Sequence, residues 1–356
     1  MTDATNDRKI EHIEVIQSDP YTDRQGSYFD RLKLTHRALP GIALNQVDTS
    51  CDFLAKKLSF PLLISSMTGG DHQLIRKINR HLAEAAEHCQ VALAVGSQRV
   101  MFSSEAAQQS FKLRQFAPST VLLGNIGAVQ LNKGFDITQA QAAVDILQAD
   151  GLYLHLNALQ EAIQAEGDTD FSDLHLKIQS IVSQLDKPVL LKEVGSGFSL
   201  ADLKQGMAAG VKYFDVSGKG GTSWSRIEHH RNQRRDPAIA VSAENPLSGN
   251  DLGLCFQDWG IDTVTSLQML NSYTDSVTLI SSGGIRNGID MLKSVILGAS
   301  ICGVAAPFLK PAMHSTEAVI VEIERLHKEF KTAMFLLGMK DIKSLFKNNS
   351  LLLEER

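Results

Sequence analysis

Eight short apolar runs alternate with amphipathic segments along the chain, and this alternation constrains the fold more than any other feature. Each run is apolar almost throughout, which is typical of strands buried on both faces. Strand–helix alternation predicts right-handed parallel crossovers. Eight such units favour an α/β fold closed as a (β/α)₈ TIM barrel, although the pattern alone also permits an open doubly wound sheet. The predicted strands span residues 60–67, 91–97, 120–126, 151–157, 187–194, 212–218, 277–282 and 300–306.

The segments between these runs predict the helices and the domain organisation. Helical patterns occupy residues 73–88, 138–148, 171–185, 199–209 and 286–297. We expect one domain over residues 1–356, with two regions outside the repeat. They are an N-terminal extension at 1–50 and a loop insertion at 219–257. Loops of this length in a compact domain are usually functional or mobile.

Composition excludes several classes of partner. The net charge is −5, which argues against general nucleic-acid binding but leaves room for a local cluster that binds phosphate. No apolar run approaches the roughly 20 residues needed to span a bilayer, so we expect no membrane partner. The polar N-terminus lacks the apolar stretch of a signal peptide. Four cysteines without metal-binding spacing indicate reduced thiols and a cytoplasmic location: Cys51, Cys89, Cys255 and Cys302.

The distinctive polar and glycine motifs fall at the carboxyl ends of the predicted strands. Active sites of (β/α)₈ barrels lie at that end, and a random scatter of structural glycines would not select it. The motifs therefore predict an active site there. In chain order they are Met67-Thr68-Gly69-Gly70, Gly96-Ser97-Gln98-Arg99, Gly124-Asn125-Ile126-Gly127, His155-Leu156-Asn157, Lys192-Glu193, Ser217-Gly218, Gly283-Gly284-Ile285-Arg286 and Ala305-Ala306.

The last two motifs predict a phosphate site. Gly283-Gly284 and Ala305-Ala306 follow the seventh and eighth strands, where barrels of this class usually bind phosphate. Backbone N–H groups near a helix N-terminus suit a phosphate monoester. Any single glycine motif is better explained as a tight turn, but the pair together favours phosphate binding. Lys192, in the fifth strand, could stabilise negative charge on a bound ligand.

The segment after the fourth strand is unusually rich in polar residues. Its sequence HLNALQEAIQAEGD places His155, Gln160 and Glu161 close behind a buried strand. Polar groups are costly at such a position unless they face a site, so we favour function over a solvated helix start for His155 and Gln160. Glu161 is a candidate ligand for Mg²⁺, which often takes one carboxylate together with phosphate oxygens of the substrate.

The sequence does not decide between two possible roles for each of two basic segments. Arg8, Lys9 and His12 form the only early basic cluster, which is either a solvated tail or a binding group. The basic run in the loop insertion has the character of a lid or a subunit contact. It lacks the interleaved aromatic residues of a nucleic-acid site.

The ordered motifs resemble one known family. RKxEHI, SMTGG, GSQR, GNIG, HLNxLQExxQxEGD, KEVGxG, SGxGGTSW, SSGGIRNGxD and AxPFL extend from Arg8 to Leu309, and together they resemble type 2 isopentenyl-diphosphate isomerase. SGGIR alone is less specific, because several FMN barrels share it. The resemblance implies interconversion of isopentenyl and dimethylallyl diphosphate. It implies FMN, NADPH or another reductant to reduce the flavin, Mg²⁺ on the diphosphate substrate, and a homo-oligomer, tetrameric or octameric.

The resemblance also implies roles for individual residues. Reduced FMN would act as acid and base through N5, with Gln160 and His155 as the catalytic side chains, and Glu161 would hold Mg²⁺. The residues implied to bind substrate are Arg8, Lys9, Ser97, Gln98, Arg99, His155 and Gln160. Those implied to bind FMN are Ser66, Met67, Thr68, Ser97, Asn125, Lys192, Ser217, Thr222, Gly284, Ile285, Arg286, Ala305 and Ala306.

Three alternative functions fit the sequence less well. A 2-hydroxy-acid oxidase would need a catalytic His before the phosphate-binding strand, and residues 258–284 contain none. A nucleotide dehydrogenase would need a nucleophilic Cys after the sixth strand, where this chain has GKGGTSW. A non-catalytic flavin-binding scaffold has no need of the polar cluster after the fourth strand.

Overall fold

The computed structural model describes residues 4–24, 26, 28–67, 69, 70, 72–235 and 252–353, without the side chains of residues 4–8 and 235. Eight parallel strands form a closed barrel in the order β10-β3-β4-β5-β6-β7-β8-β9. The predicted barrel is therefore confirmed, and the open sheet is excluded. The barrel strands are β3 (Leu62–Ile64), β4 (Ala92–Ala94), β5 (Leu122–Gly127), β6 (Gly151–Leu156), β7 (Val189–Glu193), β8 (Tyr213–Asp215), β9 (Thr278–Ser282) and β10 (Ala299–Val304).

Closure of the barrel is visible in the strand register. Cys302 and Val304 of β10 pair with Leu62 and Ile64 of β3. The predicted runs are longer than the strands, most clearly at 60–67, where pairing ends at Ile64. The remaining residues of that run leave the sheet and form loop at the carboxyl end, where they become available to a site.

Helices surround the barrel. The described helices are α1 (Ala4–Ser18), α2 (Gln73–Cys89), α3 (Glu105–Gln108), α4 (Ile137–Leu147), α5 (Ala158–Ile163), α6 (Leu174–Gln184), α7 (Leu200–Ala208), α8 (Trp224–Arg235), α9 (Leu252–Cys255), α10 (Thr263–Leu270), α11 (Gly288–Ile296), α12 (Ala306–His314), α13 (Thr316–Leu337) and α14 (Ile342–Leu345). All five predicted helices are present. Among the described helices, no candidate for a membrane span was found.

The residue before the first turn determines where two of the predicted helices begin. The predicted helix at 286–297 begins only at Gly288, because Asn287 accepts a hydrogen bond from the Asp290 backbone N–H and so caps the first turn. The predicted helix at 171–185 begins at Leu174, after Asp173 in the left-handed conformation. Both starts fall a few residues inside the predicted ranges.

A two-stranded hairpin precedes the barrel and was not predicted. Strands β1 (Cys51–Phe53) and β2 (Lys56–Leu58) pair antiparallel. Phe53 and Leu58 pack in one buried cluster with residues that point into the barrel, such as Tyr153 and Ile280. Lys56 forms an ion pair with Asp150, just before β6 begins. The hairpin therefore seals the amino end of the barrel and leaves the carboxyl end open.

Candidate active site

A cavity of about 410 Å³ opens at the carboxyl end of the barrel. Nearly all of the predicted site residues line it, together with residues of α1, α5 and α8. Their convergence on one space is observed, whereas the role of each residue stays a prediction. The predicted residues on its wall are Lys9, Ser66, Met67, Ser97, Arg99, Asn125, His155, Gln160, Glu161, Lys192, Ser217, Thr222, Gly284, Ile285, Arg286, Ala305 and Ala306.

The remaining predicted residues are Thr68, Arg8 and Gln98. Thr68 and the Arg8 side chain lie outside the described residues. Gln98 is fully buried away from the cavity. Its Nε2 donates to the Ala143 carbonyl oxygen at 2.9 Å, and its Oε1 accepts from the Asn125 backbone N–H at 2.8 Å. The protein therefore uses both ends of this amide, and Gln98 supports Asn125 instead of facing a ligand.

The loops after β8 and β9 are pressed together where phosphate binding was predicted. Gly283 has φ of 98°, and a Cβ there would lie 2.0 Å from the Gly218 carbonyl oxygen. A Cβ on Gly284 would lie 2.5 Å from the Gly220 carbonyl oxygen. Both positions therefore require glycine for loop packing, whatever ligand they bind. The two glycines can therefore be required for the tight packing of the loops and also bind phosphate.

The neighbouring helix α12 presents an N-terminus suited to an anion. Its N-cap residue is Ala305, which has no side chain that could cap the first turn. The N-terminus of a helix carries partial positive charge and backbone N–H groups, which are available here to a ligand in the cavity. This geometry can hold a phosphate.

Two arginines hold these loops through carbonyl oxygens. Arg286 donates to the carbonyl oxygens of Gly284, Gly220 and Arg24. Arg24 is buried and donates to the carbonyl oxygen of Gln257 through both Nε and Nη2. Carbonyl oxygens carry no net charge, whereas the exposed Asp258 pairs with Arg24 at 3.7 Å and Asp23 lies near both cations. The two arginines are therefore only partly compensated beside the loops predicted to bind phosphate.

His155 is oriented by a chain of hydrogen bonds from β3 and β5. Asn125 Nδ2 donates to Ser66 Oγ at 2.9 Å and to the Val95 carbonyl oxygen at 3.0 Å. Its Oδ1 is therefore the acceptor for His155 Nδ1 at 2.8 Å. This bond places the proton of neutral His155 on Nδ1 and leaves Nε2 as the acceptor nitrogen of the ring.

Gln160 is held by a buried carboxylate that sequence reasoning missed. Its Nε2 donates to Glu228 Oε1 of α8 at 2.8 Å, and the buried His12 of α1 bonds to the same oxygen at 3.1 Å. Burial opposes ionisation of Glu228, but the bond from His12 and the charge of Arg231 outweigh it and lower the pKa of Glu228 to about 2. Burial lowers the pKa of His12 to about 4. At neutral pH Glu228 is therefore ionised and His12 is neutral.

Arg231 joins three carboxylates from three segments. Its guanidinium is fully buried and contacts Glu11 of α1 at 2.9 Å, Glu166 after α5 at 2.9 Å, and Glu228 of α8. The ion pairs raise the pKa of Arg231 further above its ordinary value, despite its burial. We call α1 and α8 the mouth helices, because both contribute residues to the cavity wall and ion pairs join them. The basic run of the loop insertion thus docks onto acidic residues of the N-terminal helix.

Glu161 is buried at the cavity wall with part of its carboxylate already engaged. Oε1 accepts from Asn157 Nδ2 at 2.7 Å, and Oε2 accepts from the Asp168 backbone N–H at 2.6 Å. Gly167 completes this turn, since a Cβ there would lie 1.9 Å from the Glu161 carbonyl oxygen. Asp168 in turn pairs with Arg99 at 3.1 Å. The EGD end of the motif therefore fixes Glu161 beside a residue predicted to bind substrate.

Lys192 projects from β7 into the barrel. Its Nζ donates to the Glu193 carbonyl oxygen at 2.8 Å and to Ser217 Oγ at 3.3 Å. Asp215 Oδ2 lies 4.0 Å from the same nitrogen. Asp215 was not predicted, because in sequence it is one residue of an apolar run.

Comparison of the sequence with known proteins identifies a family and several close relatives. The profile of the FMN-dependent dehydrogenase family matches residues 130–352. An isopentenyl-diphosphate delta-isomerase of Paracoccus zeaxanthinifaciens is 54% identical over 349 residues, 97% of this chain and 96% of the relative. The enzyme of the same name from Hydrogenovibrio crunogenus is 53% identical over 345 residues, 97% of each chain.

Solved structures support the fold alone. A flavocytochrome b2 variant with sulfite bound superimposes with a TM-score of 0.63 at 18% identity, covering 91% of this chain and 76% of that one. A mandelate oxidase variant with benzoyl-formic acid gives a TM-score of 0.62 at 14% identity, covering 96% of both chains.

Proposed function

Since this chain belongs to the family of FMN-dependent isopentenyl-diphosphate delta-isomerases, we propose that its barrel cavity interconverts isopentenyl and dimethylallyl diphosphate with reduced FMN as acid–base cofactor. One observation carries the proposal at residue level. Motifs from all eight strand ends, spread between Ser66 and Ala306, line a single cavity together with Lys9 of α1. This space combines a helix N-terminus suited to phosphate, a buried ammonium and a polar wall.

The residues present fit FMN. Ser65 Oγ is buried at the cavity wall and has no hydrogen-bond partner among the described residues, so a ligand can satisfy it. The uncapped N-terminus of α12 suits the phosphate, and Lys192 suits a ring that gains negative charge on reduction. The residues that would hold FMN are Ser66, Met67, Ser97, Asn125, Lys192, Ser217, Thr222, Gly284, Ile285, Arg286, Ala305 and Ala306, with Thr68.

The residues also fit Mg²⁺, provided that the substrate supplies ligands. In the part of the chain that is described, no group of three or more His, Cys, Asp or Glu could hold a metal by itself. Glu161 offers one carboxylate, and the buried Asn157 Oδ1 beside it has no hydrogen-bond partner within the described part of the chain. Mg²⁺ is commonly held by one or two carboxylates together with substrate phosphates. We therefore assign the cation to Glu161 and the diphosphate.

The reaction adds a proton at one carbon of the alkene and removes one from another, with no net redox change. Reduced FMN, when bound, supplies a proton donor and acceptor at N5. Gln160 is fixed by Glu228, so its amide holds one orientation while the allylic group is bound. His155 Nε2 can accept a proton or a hydrogen bond, because Asn125 fixes the proton on Nδ1.

The diphosphate end supplies the binding energy. Lys9, Arg99 and His155 line the cavity and would bind the diphosphate with Ser97, and Arg8 would join them. Contacts far from the reacting carbons can hold a small apolar group in place for proton transfer. The roles of these residues follow from the family resemblance and from their common position.

Further features of the proposal concern the cellular form of the enzyme. We propose that NADPH or another reductant reduces FMN, and that the enzyme is cytoplasmic. We also propose a single barrel domain and a tetrameric or octameric homo-oligomer, in which the start of α1 lies near a subunit boundary.

The decisive experiment measures isomerisation with oxidised and with reduced FMN. The purified protein is loaded with FMN, and product is counted per NADPH oxidised without oxygen. We expect no activity with oxidised FMN and many turnovers after one reduction. A ratio near one product per NADPH would indicate stoichiometric hydride chemistry and an ordinary oxidoreductase. Full activity with oxidised FMN would place acid and base on side chains, with His155 the first to test.

A further inference from the structure

Asp215 is a fully buried carboxylate beneath the proposed flavin site. It pairs with Lys192 in the register of β7 and β8, so the two side chains share one face of the barrel wall. Its Oδ2 lies 4.0 Å from Lys192 Nζ. The activity described above assigns nothing to Asp215, although burial of a charge in a barrel interior is costly.

The surroundings of Asp215 direct hydroxyl donors and a positive charge at its carboxylate. Tyr153 O–H donates to Oδ2 at 3.1 Å, and the Ser282 hydroxyl donates to Oδ1. Burial, and then the charge of Asp215, hold the pKa of Tyr153 well above its ordinary value, so the phenol remains a donor. Two hydroxyl donors and one ammonium therefore face this carboxylate from β6, β9 and β7.

Lys192 lies between Asp215 and the cavity. Two of the three N–H bonds of its ammonium can be assigned to Glu193 and Ser217, which leaves one for a ligand. The gap of 4.0 Å to Asp215 is longer than a hydrogen bond. The negative charge of Asp215 therefore offsets part of the positive charge of Lys192. The N–H donors of Lys192 are directed at the loop and the cavity instead of at Asp215.

We propose that Asp215 is a positioning residue that sets the electrostatic potential which Lys192 presents to bound FMN. A negative charge behind the ammonium weakens the stabilisation of a reduced, electron-rich ring. Asp215 therefore limits how strongly Lys192 favours the reduced flavin, which a lysine without this compensation would stabilise further. This inference rests on the proposed function, because it requires FMN at Lys192.

The test is the midpoint potential of FMN bound to Asp215→Asn, measured by equilibration with a reference dye. Removal of the negative charge should favour reduced FMN about tenfold, which for a two-electron couple is a rise of about 30 mV. Asp150→Asn is the matched control, because Asp150 is paired with Lys56 and Arg114 at the amino end of the barrel. The control should keep the wild-type potential.

A second variant covers the case in which Asp215→Asn does not fold or retain FMN. Tyr153→Phe keeps the carboxylate but removes a hydrogen bond that disperses its charge, so the potential should fall. A potential that is unchanged in the variants that bind FMN, or that moves with the opposite sign, overturns the inference. If wild-type protein binds FMN and isomerises, that result leaves the proposed function intact. If wild-type protein does not bind FMN, both fail.

Discussion

Replacement of Arg231 by Met should detach the mouth helices from each other. Arg231 is fully buried between carboxylates of α1, α8 and the segment after α5, and Met fills similar space without charge. Removal of one partner from a buried ion pair typically costs 3–5 kcal/mol. The lower value, about 3 kcal/mol, applies here because Glu11 and Glu166 are each about a third exposed and can be rehydrated. Only Glu228 would remain as an uncompensated buried charge.

The loss of about 3 kcal/mol corresponds to roughly a 100-fold larger opening constant for α1. Amide hydrogen exchange of residues 9–18, followed by mass spectrometry, reports that opening directly. The KM for isopentenyl diphosphate should rise in parallel, because Lys9 and His12 of α1 line the cavity. FMN affinity should change less, since the proposed FMN residues lie on the barrel loops.

Arg234→Met is the matched control. Arg234 pairs with Glu14 between the same two helices, but both side chains are about half exposed. Exposed pairs contribute roughly 0–1 kcal/mol, so exchange in α1 should change by only a few-fold. If Arg231→Met exchanges no faster in α1 than Arg234→Met, the buried cluster does not hold the mouth helices.

Three further predictions concern ligands and pH. Glu161→Gln should lose Mg²⁺-dependent activity and keep FMN, because a hard-cation site loses its carboxylate, and unchanged activity at limiting Mg²⁺ would contradict this. Lys9→Ala and Arg8→Ala should each raise KM more than the dissociation constant of FMN, and normal substrate affinity would show that the cluster is only solvated charge. Stability should fall as pH drops from 6.5 through 4, because burial lowers the pKa of His12 to about 4 and protonation then favours the unfolded chain. His12→Gln should flatten that part of the thermal-melting profile.

The sequence predicted the barrel well because its strands are buried on both faces. Strands such as Leu122–Gly127 are buried along their whole length and mostly apolar. Because amphipathic helices separate them, the hydrophobic pattern and its spacing favour one architecture. Most predicted site residues also line one cavity, because parallel strands bring their carboxyl ends to the same face. The barrel topology therefore brings residues that are far apart in the sequence close together in space.

Features that depend on tertiary partners were missed. The hairpin β1–β2 turns at Leu54 and Ala55, both with positive φ, and carries none of the Asn or Gly that such turns usually require. Its packing against the barrel interior must stabilise the strained turn. Gln98 lies within a motif at a strand end, yet its side chain points away from the cavity, and no periodicity in a turn predicts that direction.

The mouth helices show most clearly why charge pattern alone was ambiguous. The basic run of α8 indicated a lid or a subunit contact, and the early cluster on α1 indicated a tail or a binding group. The structure resolves part of this, because the acids of α1 are partners for the bases of α8: Glu11 with Arg231 and Asp19 with Arg226. Each pair joins residues more than 200 positions apart. The same contacts hold Lys9 at the cavity and Glu228 against Gln160, so the network that docks the N-terminal helix also orients the proposed catalytic amide. A substitution that undocks α1 should therefore impair both substrate affinity and the chemical step.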